Sequence, residues 1–167
     1  MKKYFLLTAA AVCSILLSQS CRKENIDSTV ADKALFAEIK KSGYTYYVGT
    51  PGITAGVGNS PHGFERVRFN SIAQAALDTT GKLPAGNSFP AGSIIVKEIF
   101  SSATGSIIQY AVMKKDPSSE VAGSGYLWAE FDSGGGIAYS ISKKGDACIS
   151  CHSGSTHRDL VRTFDLH

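Results

Sequence analysis

Five consecutive residues near the C-terminal end, Cys148-Ile149-Ser150-Cys151-His152, carry the most specific chemistry in the 167-residue chain. Two thiols separated by two residues and followed directly by an imidazole form the CxxCH pattern of c-type haem attachment. In that chemistry the sulfurs add across two porphyrin vinyl groups, and the adjacent imidazole reaches the iron. The spacing lets the chain turn so that both sulfurs meet one edge of the ring while His152 follows on the metal side. The expected cofactor is one covalent haem c, with His152 as iron ligand.

Three other chemistries use similar residues. A thioredoxin-like CxxC needs a βαβ context with the cysteines opening a helix after a strand, and that parallel pattern is missing. A zinc site needs two further ligands, for which only His62, His157 and His167 remain, with no second CxxC. A disulfide across so short a loop would be strained.

The chain contains 4 cysteines, and their positions bear on the same point. Lys2 and Lys3 followed by the apolar run Phe5 to Leu17 read as a secretory signal, too short for a convincing membrane span. Leu17-Ser18-Gln19-Ser20-Cys21 resembles a bacterial lipobox, in which cleavage exposes Cys21 for lipidation. Cys13 falls inside the apolar run and makes a poorer one. The expected organisation is a lipoprotein signal peptide over 1–20, a polar tether over 21–28 and one domain over 29–167. Cys148 and Cys151 are then the cysteines left to the folded domain. Haem attachment of this type takes place outside the cytoplasm, so the leader and the motif support each other. The expected location is a bacterial membrane, on its periplasmic side or at the cell surface.

Charge excludes one class of partner. Of the 17 basic residues, Lys2 and Lys3 lie in the leader, leaving 15 against 14 acidic ones. Nucleic-acid binding needs a basic footprint that this balance does not provide.

The elements that must position the motif follow from patterning. Val30, Ala34, Leu35 and Ile39 recur at helical spacing after Ser28 and Thr29, predicting a helix over Thr29–Lys41. Gly49 to Gly63, with Pro51 and Pro61, reads as loop, and His62 within it as an exposed loop histidine that could also reach an iron site. Asn70 is a candidate cap for a second helix through Ile72, Ala73, Ala76 and Leu77. Short strands are expected at Ser93–Phe100, Ser106–Met113, Tyr126–Phe131 and Ile137–Ile141. The fold class is α+β: a mainly antiparallel sheet with helices packed on one side.

The sixth iron position decides function, since a second strong ligand closes the metal and an open site admits small molecules. Met113 is the single methionine outside the leader. Its apolar strand context favours core packing over ligation. The expected state is therefore an open iron, with a closed-iron electron-transfer lipoprotein ligated by Met113 as the alternative.

Beyond the motif, an ordered series of segments resembles a known family. Phe89-Pro90-Ala91-Gly92-Ser93-Ile94-Ile95-Val96-Lys97-Glu98 comes first, followed by Tyr110-Ala111-Val112-Met113-Lys114-Lys115 and Trp128-Ala129-Glu130-Phe131. Cys148 to His152 and Asp159-Leu160-Val161 complete the series. Together they resemble the cytochrome P-460 family and its relative cytochrome c′-beta, over about His62 to Phe164. The resemblance implies an antiparallel fold holding a five-coordinate c haem under a small distal pocket. It also implies binding of nitric oxide or carbon monoxide, or oxidation of hydroxylamine or nitric oxide, with a redox partner protein and a possible homodimer. Lys97 occupies the position of the lysine that cross-links to the haem in P-460 members. Alternation places it on one face with Ile95 and Ile99, and the plain reading is a surface ion pair with Glu98 or Glu130. Hydroxylamine-oxidising members carry a carboxylate on the strand matching Tyr110 to Met113, where this chain has none. Phe64 or Phe69 could supply the apolar distal cap of c′-beta proteins, or simply be core.

Overall fold

The computed structural model describes residues 28–49, 51–57, 60–154, 156 and 158–167. The expected signal peptide and Cys21 lie outside them. Helix α1 (Ser28–Ile39) is followed by β1 (Thr45–Tyr46), β2 (Thr54–Ala55), β3 (Phe64–Phe69) and α2 (Ser71–Ala75). The strands β4 (Ile94–Phe100), β5 (Ile107–Lys115), β6 (Tyr126–Asp132) and β7 (Ile137–Tyr139) come next. A 3₁₀ turn (Ile141–Lys143) and the short helices α3 (Ile149–His152) and α4 (Thr163–Leu166) complete the described chain. The strands form one antiparallel sheet in the order β1-β3-β4-β5-β6-β7, with β2 also paired to β3. The architecture is α+β, as the strand and helix patterning implies.

Strand alternation gives the sheet two apolar faces. On one, Ile94, Val96, Tyr110, Val112, Ala129 and Phe131 meet Leu35 and Ile39 of α1. On the other, Val67, Phe69, Ile95, Met113, Tyr126 and Trp128 meet Ala73, Leu83, Phe89, Val161 and Phe164. Helices therefore cover both faces, rather than the single face expected. The reason lies in β4 to β6, where successive residues are buried on alternate sides, so each face needs its own cover.

Two details refine the helices. The buried stripe of α1 runs through Asp32, Leu35 and Ile39, whereas Val30 is 63% exposed. Asp32 is buried because its carboxylate accepts from the Ile141 amide (3.0 Å) and the Ser140 hydroxyl (2.6 Å), tying α1 to the end of β7. Asn70 caps α2 as its type suggests, accepting from the Ala73 amide at 3.0 Å, and also accepts from the Ile94 amide that opens β4.

Patterning does not suggest β3, nor the two-residue strands β1 and β2 that pair with it, β2 lying within the stretch expected to be loop. The β3 sequence Phe64-Glu65-Arg66-Val67-Arg68-Phe69 carries three charges, yet Glu65 and Arg68 are buried. The charges are satisfied across strands: Arg66 and Arg68 each pair with Glu98 at 2.8 Å, and Glu65 pairs with Lys97 at 2.8 Å. Lys97 thus has a buried carboxylate as partner in place of Glu98 or Glu130.

Candidate functional site

The turn Gly145–Ala147 leads into α3, where the Cys148 and Ile149 amides both donate to the Gly145 carbonyl. Both thiols are free, Cys148 half-buried and Cys151 exposed. Burial pushes the Cys148 thiol above its ordinary value, so it is a protonated thiol at neutral pH. His152 ends the helix with its ring turned inward against Trp128, centroids 4.9 Å apart and edge to face at 76°.

The two ring nitrogens of His152 have different roles. Nδ1 lies 2.7 Å from the Leu160 carbonyl oxygen, which can only accept, so Nδ1 carries the proton. Burial holds the ring below its ordinary pKa, keeping it neutral. Nε2 is then the lone-pair nitrogen, the arrangement typical of a metal-bound histidine oriented by a backbone carbonyl.

Trp128 is itself fixed. Its indole N–H donates to the Gly123 carbonyl at 2.8 Å. A Cβ on Gly145, whose φ is +72°, would stand 2.5 Å from the indole Cδ1. That glycine therefore serves both its turn and the close approach of the ring.

These groups border a cavity of about 310 Å³ on the sheet face away from α1. That volume lies near the lower end of the roughly 300–1,000 Å³ range of small-molecule and cofactor sites. One wall is a row across three strands: Lys97 of β4 opposes Ala111 of β5, which opposes Glu130 of β6. Ile95, Met113, Trp128 and Tyr139 add apolar and aromatic lining, and His62, Val161, Arg162 and Thr163 come from the loops and the C-terminal segment.

Charge in the cavity and behind its wall is set by burial and pairing. Burial alone would raise Glu65, but Lys97 and His167 outweigh it and hold the carboxyl below its ordinary range. Glu130 goes the other way: burial raises it, offset in part by the Gln109 amide, which donates at 2.8 Å. His62 is pushed down to about 4, by burial first and then by Lys97, so it too is neutral at pH 7.

The candidate residues divide clearly in space. Cys148, Cys151, His152, Lys97 and Met113 all border the cavity. His62 does as well, half-buried instead of exposed on its loop. The two phenylalanine candidates are elsewhere. Phe64 alternates with Glu65 and so sits on the α1 face, while Phe69 is fully buried, stacked on Phe164 at 5.9 Å and Phe89 at 6.3 Å. Neither is among the residues lining the cavity. Glu130 is the group that strand-by-strand reading misses. It alternates with Trp128 and so shares its face, but its alignment with Ala111 depends on register, which composition does not reveal.

The donor set fits a haem better than a caged metal ion. Among the described residues no three His, Cys, Asp or Glu side chains converge on one point. A haem iron takes its in-plane ligands from the macrocycle and needs a single protein imidazole, for which His152, beside the two thiols, is the candidate. Thr163 adds a buried hydroxyl with no hydrogen-bond partner among the described residues, at a position lining the same cavity. His152 would hold the iron and the two thiols the ring.

No curated protein matches the chain. The family model for cytochrome P-460 matches residues 46–163, from β1 to the start of α4, a span that includes every cavity residue named above. That match covers more than half of the sequence and, with the cavity it encloses, shows that the chain belongs to the cytochrome P-460 family of haem-binding cytochromes.

Proposed function

We propose that this protein is an exported, lipid-anchored c-type cytochrome that binds nitric oxide or a related small nitrogen species at an open iron. The observation that carries the reading is the state of His152: neutral, fixed through Nδ1 and left with Nε2 as a ligand, beside two free thiols at CxxCH spacing. A haem bound there supplies an iron that coordinates small diatomic molecules and exchanges electrons.

The residues around the iron support an open sixth position. Met113 opposes Trp128 across the β5–β6 register, and Trp128 is the ring packed against His152. Met113 packs with Trp128 in the apolar cluster that backs the cavity, which supports a packing role for it over iron ligation. Lys97, Ala111 and Glu130 continue the wall beyond it, and neutral His62 adds a group able to donate to or accept from a bound ligand. Lys97 is the cavity amine to test for attachment to the ring.

One observation favours turnover as a second reading. The carboxylate absent from β5 has a counterpart in Glu130, on the next strand, opposite Ala111. Burial raises its pKa, which suits a group that accepts a proton from a substrate such as hydroxylamine.

The test uses holoprotein matured by the c-type machinery. Ferrous protein titrated with nitric oxide and with carbon monoxide is expected to give saturable shifts of the Soret band. A spectrum unmoved by either ligand would overturn the open-iron reading. Reduction of an artificial acceptor by hydroxylamine would establish turnover. For the anchor, fatty-acid labelling is expected in cells and is lost in Cys21→Ser; an unlabelled wild type would refute lipidation.

A further inference from the structure

The carbonyl that orients His152 is held by an unusual piece of backbone. Asp159 (φ 51°) and Leu160 (φ 67°) are consecutive residues in the left-handed region, where a bulky residue such as leucine is an outlier. Such a conformation persists only where the surroundings over-determine it. Here the surroundings act on the side chain of Asp159. Lys115 Nζ pairs with both carboxylate oxygens, at 2.8 and 2.9 Å, while the Tyr126 hydroxyl donates at 2.8 Å and the Phe89 amide at 2.7 Å. These donors come from the end of β5, the start of β6 and the loop before β4, so one carboxylate ties three parts of the sheet to the C-terminal segment. The pair of left-handed residues then turns the Leu160 carbonyl onto His152 Nδ1.

We propose that Asp159 is a positioning residue for the iron ligand: locked by Lys115, Tyr126 and Phe89, it fixes the corner whose Leu160 carbonyl sets the tautomer, orientation and donor strength of His152. The proposal rests on the reading of His152 as a haem ligand. A strong hydrogen bond from Nδ1–H raises the basicity of the opposite nitrogen, strengthens its bond to iron and favours the ferric state. Asp159 thereby tunes the iron through a backbone carbonyl without touching the cofactor. This also gives a physical role to the Asp159-Leu160-Val161 segment, which the attachment motif leaves unexplained.

The test is resonance Raman spectroscopy of the ferrous holoprotein, together with its midpoint potential, in Asp159→Ala, Asp159→Asn and Tyr126→Phe. The iron–imidazole stretching band is expected to move to lower frequency and the potential to rise in Asp159→Ala. Tyr126→Phe, which removes one of the donors, shifts both less. Asp159→Asn, which still accepts from Tyr126 and Phe89, recovers part of the loss. If Asp159→Ala fails to fold with haem, the two milder variants carry the test. Lowered thermal stability with band and potential unmoved would show a merely structural role and overturn the proposal. A wild-type protein that binds no haem would instead refute the haem reading beneath it, and bound haem without the band would refute the open iron.

Discussion

Lys97 Nζ lies 2.8 Å from Glu65 Oε2, an ion pair joining diagonal neighbours on β4 and β3 at the wall of the cavity beside His152. Glu65 is 1% exposed, and its second oxygen is 3.4 Å from His167 Nε2. The buried Glu65 charge is tolerable because half-buried Lys97 meets it, so removing the lysine strands a carboxylate away from water.

Lys97→Met should therefore destabilise the fold by about 3–5 kcal/mol, a large part of an ordinary domain's stability, and Glu65→Gln, which leaves only a half-buried lysine unpaired, by less. The double variant should lose clearly less than the sum of the two. Urea unfolding of the four proteins checks this as a double-mutant cycle, and strict additivity would show that the pair is not coupled.

Trp128 packs against His152 and is itself held by its N–H. Trp128→Ala should cost about 3–5 kcal/mol for the lost core volume. Trp128→Phe should cost less, since it keeps most of the packing and gives up the hydrogen bond to Gly123, worth about 1 kcal/mol. Gly145→Ala should also destabilise, because its methyl would meet the indole at a left-handed backbone position. Thermal melts of the three variants test this order, and a neutral Gly145→Ala would contradict the assigned close approach.

His62 makes the apoprotein sensitive to acid. Its pKa falls from 6.5 to about 4 on folding, so between those values the unfolded chain binds more protons than the folded one. Its contribution is complete above pH 6.5 and is lost as pH drops toward 4. Discounted for partial solvent access, that loss is on the order of 1–2 kcal/mol. Glu130, whose pKa is raised, acts in the opposite sense, contributing stability at low pH that is lost as pH rises through its folded value. Comparison of wild type with His62→Gln isolates the histidine: the variant should show a shallower decline of melting temperature below pH 6.5. Parallel curves would show that His62 is not buried as described.

Much of the site is visible in the sequence, and the reasons for the rest are specific. The CxxCH motif is local, so residue type and spacing single out Cys148, Cys151 and His152, which the fold brings together at the cavity. Strands β4, β5 and β6 follow from apolar alternation, and α2 from Asn70. β3 escapes because its charges look like a solvated surface until their partners on β4 are known. Phe64 and Phe69 cannot be sorted without that strand's alternation, which sends Phe64 to the α1 face. His62 and Glu130 join the site through tertiary arrangement alone, one by the path of its loop and the other by register.

The Glu130 carboxylate separates binding from turnover. Glu130→Gln should preserve nitric oxide binding to the ferrous protein and lower any hydroxylamine-driven reduction of an acceptor by roughly 10²-fold or more, the usual worth of a positioned proton acceptor. Stopped-flow binding and steady-state assays on one preparation make the comparison. Equal losses in both would show that Glu130 shapes the cavity and does not accept the proton.

The most direct test of the central claim is the intact mass of the protein under denaturing conditions after expression with the c-type maturation machinery. The expected result is a polypeptide carrying the mass of one haem, which disappears in the Cys148→Ala/Cys151→Ala double variant. A polypeptide of bare mass from cells that mature other c-type cytochromes would contradict it.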